Sequence, residues 1–285
     1  MPAPAAARLI AGLRNVTGSG ALPVPTSPSG RAAAAPRPAC LHARLQWRFD
    51  RTAAGRADDL ALLHPGTFAF FRTLAAHNTR AWFDAHRSHY ETQVREPYLR
   101  LIRDLQPALA AISPHYRADP RRQGGSLYRI YRDTRYRRDK SPYKTWQAAR
   151  FAHERRGEVE APAFYLHIAA DECFFGAGFW HPSSPTLRRF RDFVVDNPAT
   201  WQRIIRAPAF TRRYEFVGDS LKRAPQGQDP AHPLIGDLKR KDWVVSRPFD
   251  ASLACSDALL PWIEESMRDT APLVDYLCAA LDLPF

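Results

Sequence analysis

The 285-residue sequence contains only four cysteines, five lysines and no long apolar run. The cysteines form no CxxC pair and match no zinc or disulfide framework, so reduced thiols in a reducing compartment are expected. No stretch approaches the roughly 18 consecutive apolar residues of a membrane span, which excludes an integral helical membrane protein. GxSxG, HExxH and GxGxxG motifs are also missing. We therefore predict no metal site, and the sequence leaves any cofactor open.

Acidic residues are missing from the first 49 positions, where Ala, Pro, Ser, Gly and Arg predominate. Such a composition cannot bury enough apolar surface to offset the entropy lost on ordering. We therefore predict an extension over residues 1–62 and a single folded domain over residues 63–285. Three alternatives stay open for the extension: a disordered tail, a start codon assigned too far upstream, and an organelle transit peptide. Without a secretory signal, the expected location is the cytoplasm, or an organelle if the transit peptide is real.

Basic residues outnumber acidic ones by 41 to 29, which gives a formal net charge of +12. The excess is local. Residues 121–156 carry twelve basic side chains against three acidic ones, whereas residues 250–285 carry one against seven. A concentrated positive charge favours an anionic partner, either a small molecule or a nucleic acid.

The spacing of apolar residues changes twice along the chain. Helical spacing prevails from Thr67, with a helix expected to start at Pro97 and to be kinked or split at Pro107. A further strand is expected at Trp243, and separate C-terminal helices are expected after Ser256 and over 271–282. Between the helical regions, short aromatic and β-branched runs predict strands over 126–132, 145–151, 162–169 and 173–179. This order predicts an α+β fold with a central antiparallel sheet flanked by N-terminal and C-terminal helices.

The segment from Tyr128 to Trp146 alternates basic and aromatic side chains in an unusual way. Arginine offers a planar fork of donors that matches phosphate or carboxylate, and tyrosine offers a stacking face with a polar rim. This combination suits an anion-binding or base-stacking site. The alternative is a solvated loop whose arginines form surface ion pairs. The candidate ligand-binding residues of the segment are Arg129, Tyr131, Arg132, Arg135, Lys140, Tyr143 and Lys144.

Asp133 and Asp139 are the candidate catalytic residues of the same segment. The surrounding cations lower a carboxylate pKa, which disfavours a general acid and leaves the roles of base or of anchor for the cations. Lys222, Arg223 and Arg247 flank later turns and complete the candidate ligand-binding set if they converge on the segment. If they do not converge, they are three exposed surface charges.

Several ordered motifs resemble one microbial family. Tyr128–Asp133 and Arg138–Lys144 are similar to its signature, and Asn78–Asp84 is similar to its N-terminal helix motif. Further similarities lie at Ala163–Ile168, Gly176–Trp180, Leu221–Gly227 and Val245–Pro248. The chain thus resembles the domain of unknown function 2461 from about residue 67 to about residue 250. The resemblance implies a single domain and brings no established activity, substrate or cofactor.

Two functions are therefore expected from the sequence. The first is an uncharacterised protein with a cationic, aromatic-lined site for a phosphate-bearing or other anionic small molecule, with enzymatic action on that ligand left open. The alternative is a non-catalytic nucleic-acid-binding module that uses the same residues on an open surface.

Overall fold

The computed structural model describes residues 62–285, so the alternatives for the N-terminal extension lie outside the described residues. The N-terminal helical region contains five α-helices and a π-helical turn. They are α1 (Pro65–Ala76), α2 (Arg80–Ala85), α3 (Arg87–Tyr90), the π turn (Glu91–Arg95), α4 (Glu96–Asp104) and α5 (Gln106–Ile112).

The remaining elements build the sheet and its C-terminal helices. In chain order they are β1 (Tyr116–Arg117), β2 (Trp146–His153), β3 (Ala163–Ala169), β4 (Cys173–Phe179), α6 (Ser184–Asp196), α7 (Pro198–Ile205), α8 (Pro208–Arg213), β5 (Glu215–Val217), α9 (Ile235–Leu238), β6 (Trp243–Phe249), α10 (Ala251–Ala254) and α11 (Leu259–Ala279). None of these helices is long and apolar enough to cross a membrane.

The helix predicted to begin at Pro97 continues instead from α3 through the π turn. Proline has no backbone N–H, so Pro97 leaves the carbonyl of Gln93 without its helical donor. The hydroxyl of Thr67, at the start of α1, donates to that carbonyl at 2.5 Å. This side-chain bond explains how the helix continues through Pro97, where the sequence pattern predicts a helix start. Pro107 does divide the helix as expected, since α4 ends at Asp104.

The six strands form one antiparallel sheet in the order β1-β2-β3-β4-β6-β5. The predicted runs at 145–151, 162–169 and 173–179 correspond to β2, β3 and β4, and Trp243 begins β6. The run at 126–132 forms only isolated pairs, Leu127 with Ala149 of β2 and Tyr131 with Tyr143. The α+β fold with a central antiparallel sheet between N-terminal and C-terminal helices is thereby confirmed.

One prediction about the C-terminal helices is wrong. Residues 259–279 form a single helix, α11, with Pro272 inside it, where two helices were expected. An interior proline costs about 3 kcal/mol. The flanking side chains Leu273, Val274 and Leu277 are completely buried against the core, and this burial offsets the cost.

The two faces of the sheet have different surroundings. Side chains such as Phe151, Phe164 and Val245 point to the helical face and share one large core with α4, α5, α6, α7 and α11. The opposite side chains form a separate cluster made of sheet residues and their flanks: Trp146, Ala148, Tyr165, Ala169, Phe174, Val217, Val244, Tyr128 and Trp180. We call this second side the cleft face.

Candidate functional site

The basic segment forms a long hairpin beside β2. The backbone N–H of Arg132 donates to Pro142 at 2.9 Å, and that of Lys144 donates to Ile130 at 2.8 Å. The connecting residues make a loop, and we call residues 129–144 the basic loop. Its charged side chains bond mostly to one another and to loop carbonyls, as described next.

The two candidate catalytic carboxylates are ion-paired within the basic loop. Asp133 accepts from the guanidinium of Arg135 at 2.7 Å, which lowers the pKa of Asp133 to about 2. Asp139 accepts from the hydroxyl and backbone N–H of Ser141 and from Arg132, and these bonds hold its pKa below the usual range. Both groups are anions at neutral pH, and their observed bonds anchor loop cations and turns. A general-acid role does not fit them.

The remaining loop residues differ in their contacts and in their exposure to solvent. The ammonium of Lys140 donates to the carbonyls of Thr134 and Arg135. Tyr143 is buried, its ring stacked at 4.0 Å on Phe83, whereas Tyr131 is 42 % exposed. Arg129 and the loop tip are open to solvent. The candidate residues of the loop thus bond to groups within the loop, pack against Phe83 or lie open to solvent.

Lys144 is the most unusual cation of the loop because it is buried. Its ammonium lies 5.2 Å from the ring centroid of Tyr128 and 4.7 Å from that of Trp146, and it donates to the carbonyl of Arg129 at 2.9 Å. The ring faces and the carbonyl favour the charged form. Burial acts in the opposite direction and, with the nearby Arg129, lowers the pKa of Lys144 to about 8.

We expect the stability of the wild type, compared with that of Lys144→Met, to depend on pH because Lys144 is buried. The folded-state pKa of about 8 lies below the unfolded value of about 10.4, so the wild type should gain stability as pH rises between the two. Over this pH range the free energy of unfolding of the wild type should therefore rise by up to about 3 kcal/mol relative to that of the variant. Chemical denaturation from pH 7 to pH 10.5, with exposed Lys222→Met as control, measures this. A difference that does not change with pH contradicts it.

The later basic residues do not converge on the basic loop. Arg247 lies on the helical face, where its guanidinium pairs with Glu265 at 3.0 Å and lies 4.3 Å from the ring centroid of Trp262. Lys222 and Arg223 are exposed after β5, and β3, β4 and β6 separate β5 from β2. At about 4.8 Å per strand, that separation is roughly 19 Å. The sequence left this convergence open, and the strand order, which no spacing in the sequence reveals, places these residues apart from β2.

A cleft of about 460 Å³ opens on the cleft face instead. Gly176 and Gly178 of β4 leave room at its floor, between Tyr165 on β3 and Val244 on β6. The β2–β3 connection, residues 154–162, forms one wall. This size suits a small organic ligand. None of the residues predicted from the sequence lines the cleft.

The polar groups of the cleft are mostly hydrogen-bond donors. The Ser246 hydroxyl and the Trp180 indole N–H are buried, and neither has a hydrogen-bond partner within residues 62–285. The guanidinium of Arg150 bonds to the Ala161 carbonyl at 3.3 Å, and that of Arg156 bonds to the Gly124 carbonyl at 2.7 Å. Among the described residues, neither arginine forms an ion pair with a carboxylate. These donors retain capacity for an acceptor that enters the cleft.

A carboxylate-held imidazole also lines the cleft. Asp242, just before β6, is buried and accepts from the His181 backbone N–H and from ring Nδ1, both at 2.9 Å. It also accepts from the backbone N–H of Asp219 at 2.9 Å. Burial raises the pKa of Asp242, but these bonds outweigh it and leave the pKa below its ordinary value.

The sequence carried weak signals for these residues. Arg150 interrupts an otherwise apolar run in β2, and Trp180-His181 follows β4 directly. Asp242 precedes the Trp-Val-Val run that begins β6. Each is a single polar residue at a strand or strand end, and only the pairing of distant strands brings them together.

Comparison with known proteins gives one match. The family model described as "Conserved hypothetical protein (DUF2461)" matches residues 66–276. No curated protein and no solved structure matches the chain. Because the matched region covers most of the sequence and includes the basic loop and the cleft, the chain belongs to the DUF2461 family of conserved hypothetical proteins.

Proposed function

We propose that the cleft binds a small molecule that carries an anionic group, carboxylate or phosphate, next to a flat apolar part. The proposal keeps the ligand class expected from the sequence and moves the site from the basic loop to the cleft. The observation that carries it is a pair of buried donors, Ser246 Oγ and Trp180 Nε1, which have no partner among the described residues and line the same cleft as Arg150.

A buried donor that forms no hydrogen bond costs about 1–3 kcal/mol of free energy. The two unpaired donors therefore favour a ligand that is rich in acceptors. An arginine without a carboxylate adds a positive field and a fork of donors. The acids of the cleft are already engaged, since Glu160 accepts from Ser183 and Thr186 and Glu158 accepts from Arg155. A negatively charged ligand therefore fits better than a cationic one.

The walls of the cleft suit the apolar part of such a ligand. Phe174, Val217 and Val244 supply apolar surface, and the Tyr165 ring stands over Gly176 on the neighbouring strand. Aromatic and aliphatic walls with a few convergent polar groups are typical of small-molecule sites. Phenyl phosphate combines both features in one simple probe.

We expect phenyl phosphate to raise the melting temperature and to bind with measurable heat by titration calorimetry. Arg150→Gln should weaken binding about 10- to 100-fold, since a hydrogen bond between charged groups contributes roughly 1.5–3 kcal/mol. Arg203→Gln, on the exposed side of α7, is the matched control and should leave the affinity unchanged. Equal affinity in wild type and Arg150→Gln, or no binding of phenyl phosphate to the wild type, contradicts the proposal.

A second candidate function, nucleic-acid binding, has one observation in its favour. Tyr136, at the tip of the basic loop, is 94 % exposed and stands next to Arg135, Arg137 and Arg138. An exposed ring among arginines suits stacking on a single-stranded base. A short single-stranded RNA in the same titration separates the two functions. Binding of RNA alone, weakened by added salt and by Tyr136→Ala, supports the second candidate.

A further inference from the structure

We infer that the cleft also hydrolyses an ester within its ligand, with His181 as general base and Trp180 as donor to the developing oxyanion. This inference rests on the anion-binding function proposed above and adds a reaction to it. It is carried by the bonds of Asp242 and by the unpartnered indole N–H beside the imidazole.

Asp242 fixes both the position and the tautomer of His181. The ring Nδ1 donates its proton to the carboxylate at 2.9 Å, so Nε2 of the neutral ring keeps its lone pair as an acceptor. The same carboxylate binds the backbone N–H of His181, whose φ of 52° is unusual for a non-glycine residue. A carboxylate that orients an imidazole in this way is the usual support for a general base.

Trp180 places a donor next to that base. The ring centroids of Trp180 and His181 lie 4.4 Å apart, and both residues line the cleft. The indole N–H is buried and unpartnered among the described residues. A preorganised donor stabilises the negative oxygen that forms when a carbonyl is attacked.

The nucleophile is water, because the register separates His181 from the serine of the cleft. Trp243 on β6 pairs with Phe179, and Ser246 lies three residues further along the strand, about 10 Å away. His181 lies on the other side of Phe179, beyond the end of β4. A serine nucleophile needs its base within hydrogen-bond reach, so Ser246 serves to bind the ligand.

The reaction balances with water as the sole co-reactant. Nε2 of His181 takes a proton from water as the oxygen bonds to the ester carbonyl carbon, and Trp180 donates to the resulting oxyanion. The tetrahedral intermediate then collapses and the bond to the leaving oxygen breaks. That oxygen takes the proton from the imidazolium, which gives an alcohol, a carboxylic acid and the neutral His181.

The positions of the two groups limit the substrate. Arg150 on β2 is in register with Gly176 on β4, and His181 lies beyond Phe179 at the end of β4. About 10 Å across the sheet and at least about 10 Å along it therefore separate the backbone positions of the cation and the base. The substrate class is therefore an elongated ester whose anionic group lies at the end opposite the scissile bond. An anion alone, such as inorganic phosphate, would fill one end and undergo no reaction.

The test uses the full chain with two chromogenic esters. One is the mono-4-nitrophenyl ester of suberic acid, which carries a carboxylate at its far end, and the neutral comparison is 4-nitrophenyl octanoate. We expect the wild type to prefer the anionic ester. His181→Asn, which suits a positive φ, should lower kcat by about 100-fold or more, and Trp180→Phe should lower it by a similar factor. Arg150→Gln should raise KM for the anionic ester alone, and Arg203→Gln should change neither constant.

The outcomes separate the reaction from binding. If phenyl phosphate binds but the wild type hydrolyses neither ester, the hydrolytic inference is wrong and the proposed binding function stands. Full activity of a folded His181→Asn variant, with its fold checked by thermal unfolding, also overturns the inference. Hydrolysis that depends on His181 without any phenyl phosphate binding or carboxylate preference supports the base and contradicts the anion-binding proposal.

Discussion

Gly178→Ala is expected to destabilise the domain by about 4 kcal/mol or more. Gly178 has a φ of +123°, a conformation that L side chains rarely adopt, and a Cβ there would lie 2.1 Å from the Trp243 carbonyl oxygen. That atom is backbone of the paired strand β6, so it cannot move without breaking the β4–β6 ladder. Urea denaturation measures the loss as a lower midpoint at unchanged slope.

Gly176→Ala is the matched control in the same strand. Its nearest neighbour, the Val245 carbonyl oxygen, would lie 3.5 Å from the new Cβ, which is ordinary contact, and its φ is not positive. We expect a change within about 1 kcal/mol. The added methyl group would still enter the cleft, because Gly176 lines its floor. Similar destabilisation by the two substitutions would show that strain at Gly178 is not the cause.

Asp242→Asn should destabilise the domain by about 3 kcal/mol at neutral pH. The carboxylate accepts from His181 and Asp219 on both of its oxygens, and an amide of the same shape has one acceptor oxygen for these donors. Gly218 makes the site tighter still, since a Cβ there would lie 2.4 Å from the Asp242 side chain. Relaxation that turns an amide N–H away from both donors is therefore restricted.

The destabilisation by Asp242→Asn should depend on pH, and the pKa of Asp242 sets the direction of that dependence. The folded pKa of Asp242 lies below its ordinary value, so its ionisation stabilises the fold above the unfolded pKa of about 3.9. That contribution is lost as pH falls through the folded pKa. The stability difference between wild type and Asp242→Asn should accordingly shrink below pH 4 in acid denaturation. A gap that stays constant from pH 7 to pH 3 would falsify the assignment of the effect to the carboxylate charge.

The general fold could be predicted because its signals are local. Aromatic and β-branched runs identify β2, β3 and β4, and helical spacing identifies the helical region that begins near Thr67. The C-terminal error has a physical cause, since burial around Pro272 overrides a proline signal. The start predicted at Pro97 fails for a related reason, because the compensating donor, Thr67, lies far away in the chain.

The candidate site was harder to predict because its signals are not local. The basic loop attracts attention through its charge, yet Asp133 and Asp139 hold part of that charge inside the loop. The cleft depends on the order β2-β3-β4-β6, which sets Arg150 two strands from Gly176 and joins His181 to Asp242. No spacing in the sequence encodes that order, and the unpartnered state of Ser246 exists only in the folded chain.

The bond between Thr67 and the Gln93 carbonyl has a consequence for how the domain opens. If α1 separated from the π turn, the Gln93 carbonyl, which Pro97 cannot bond, would lose the Thr67 hydroxyl as its donor. Gly66 would also lose its close contact with the Gln93 side chain. Loss of either helical segment thus removes support from the other. We therefore expect the two segments, distant in the chain, to unfold as one cooperative unit, so that hydrogen exchange finds the amides of both exposed in the same opening event.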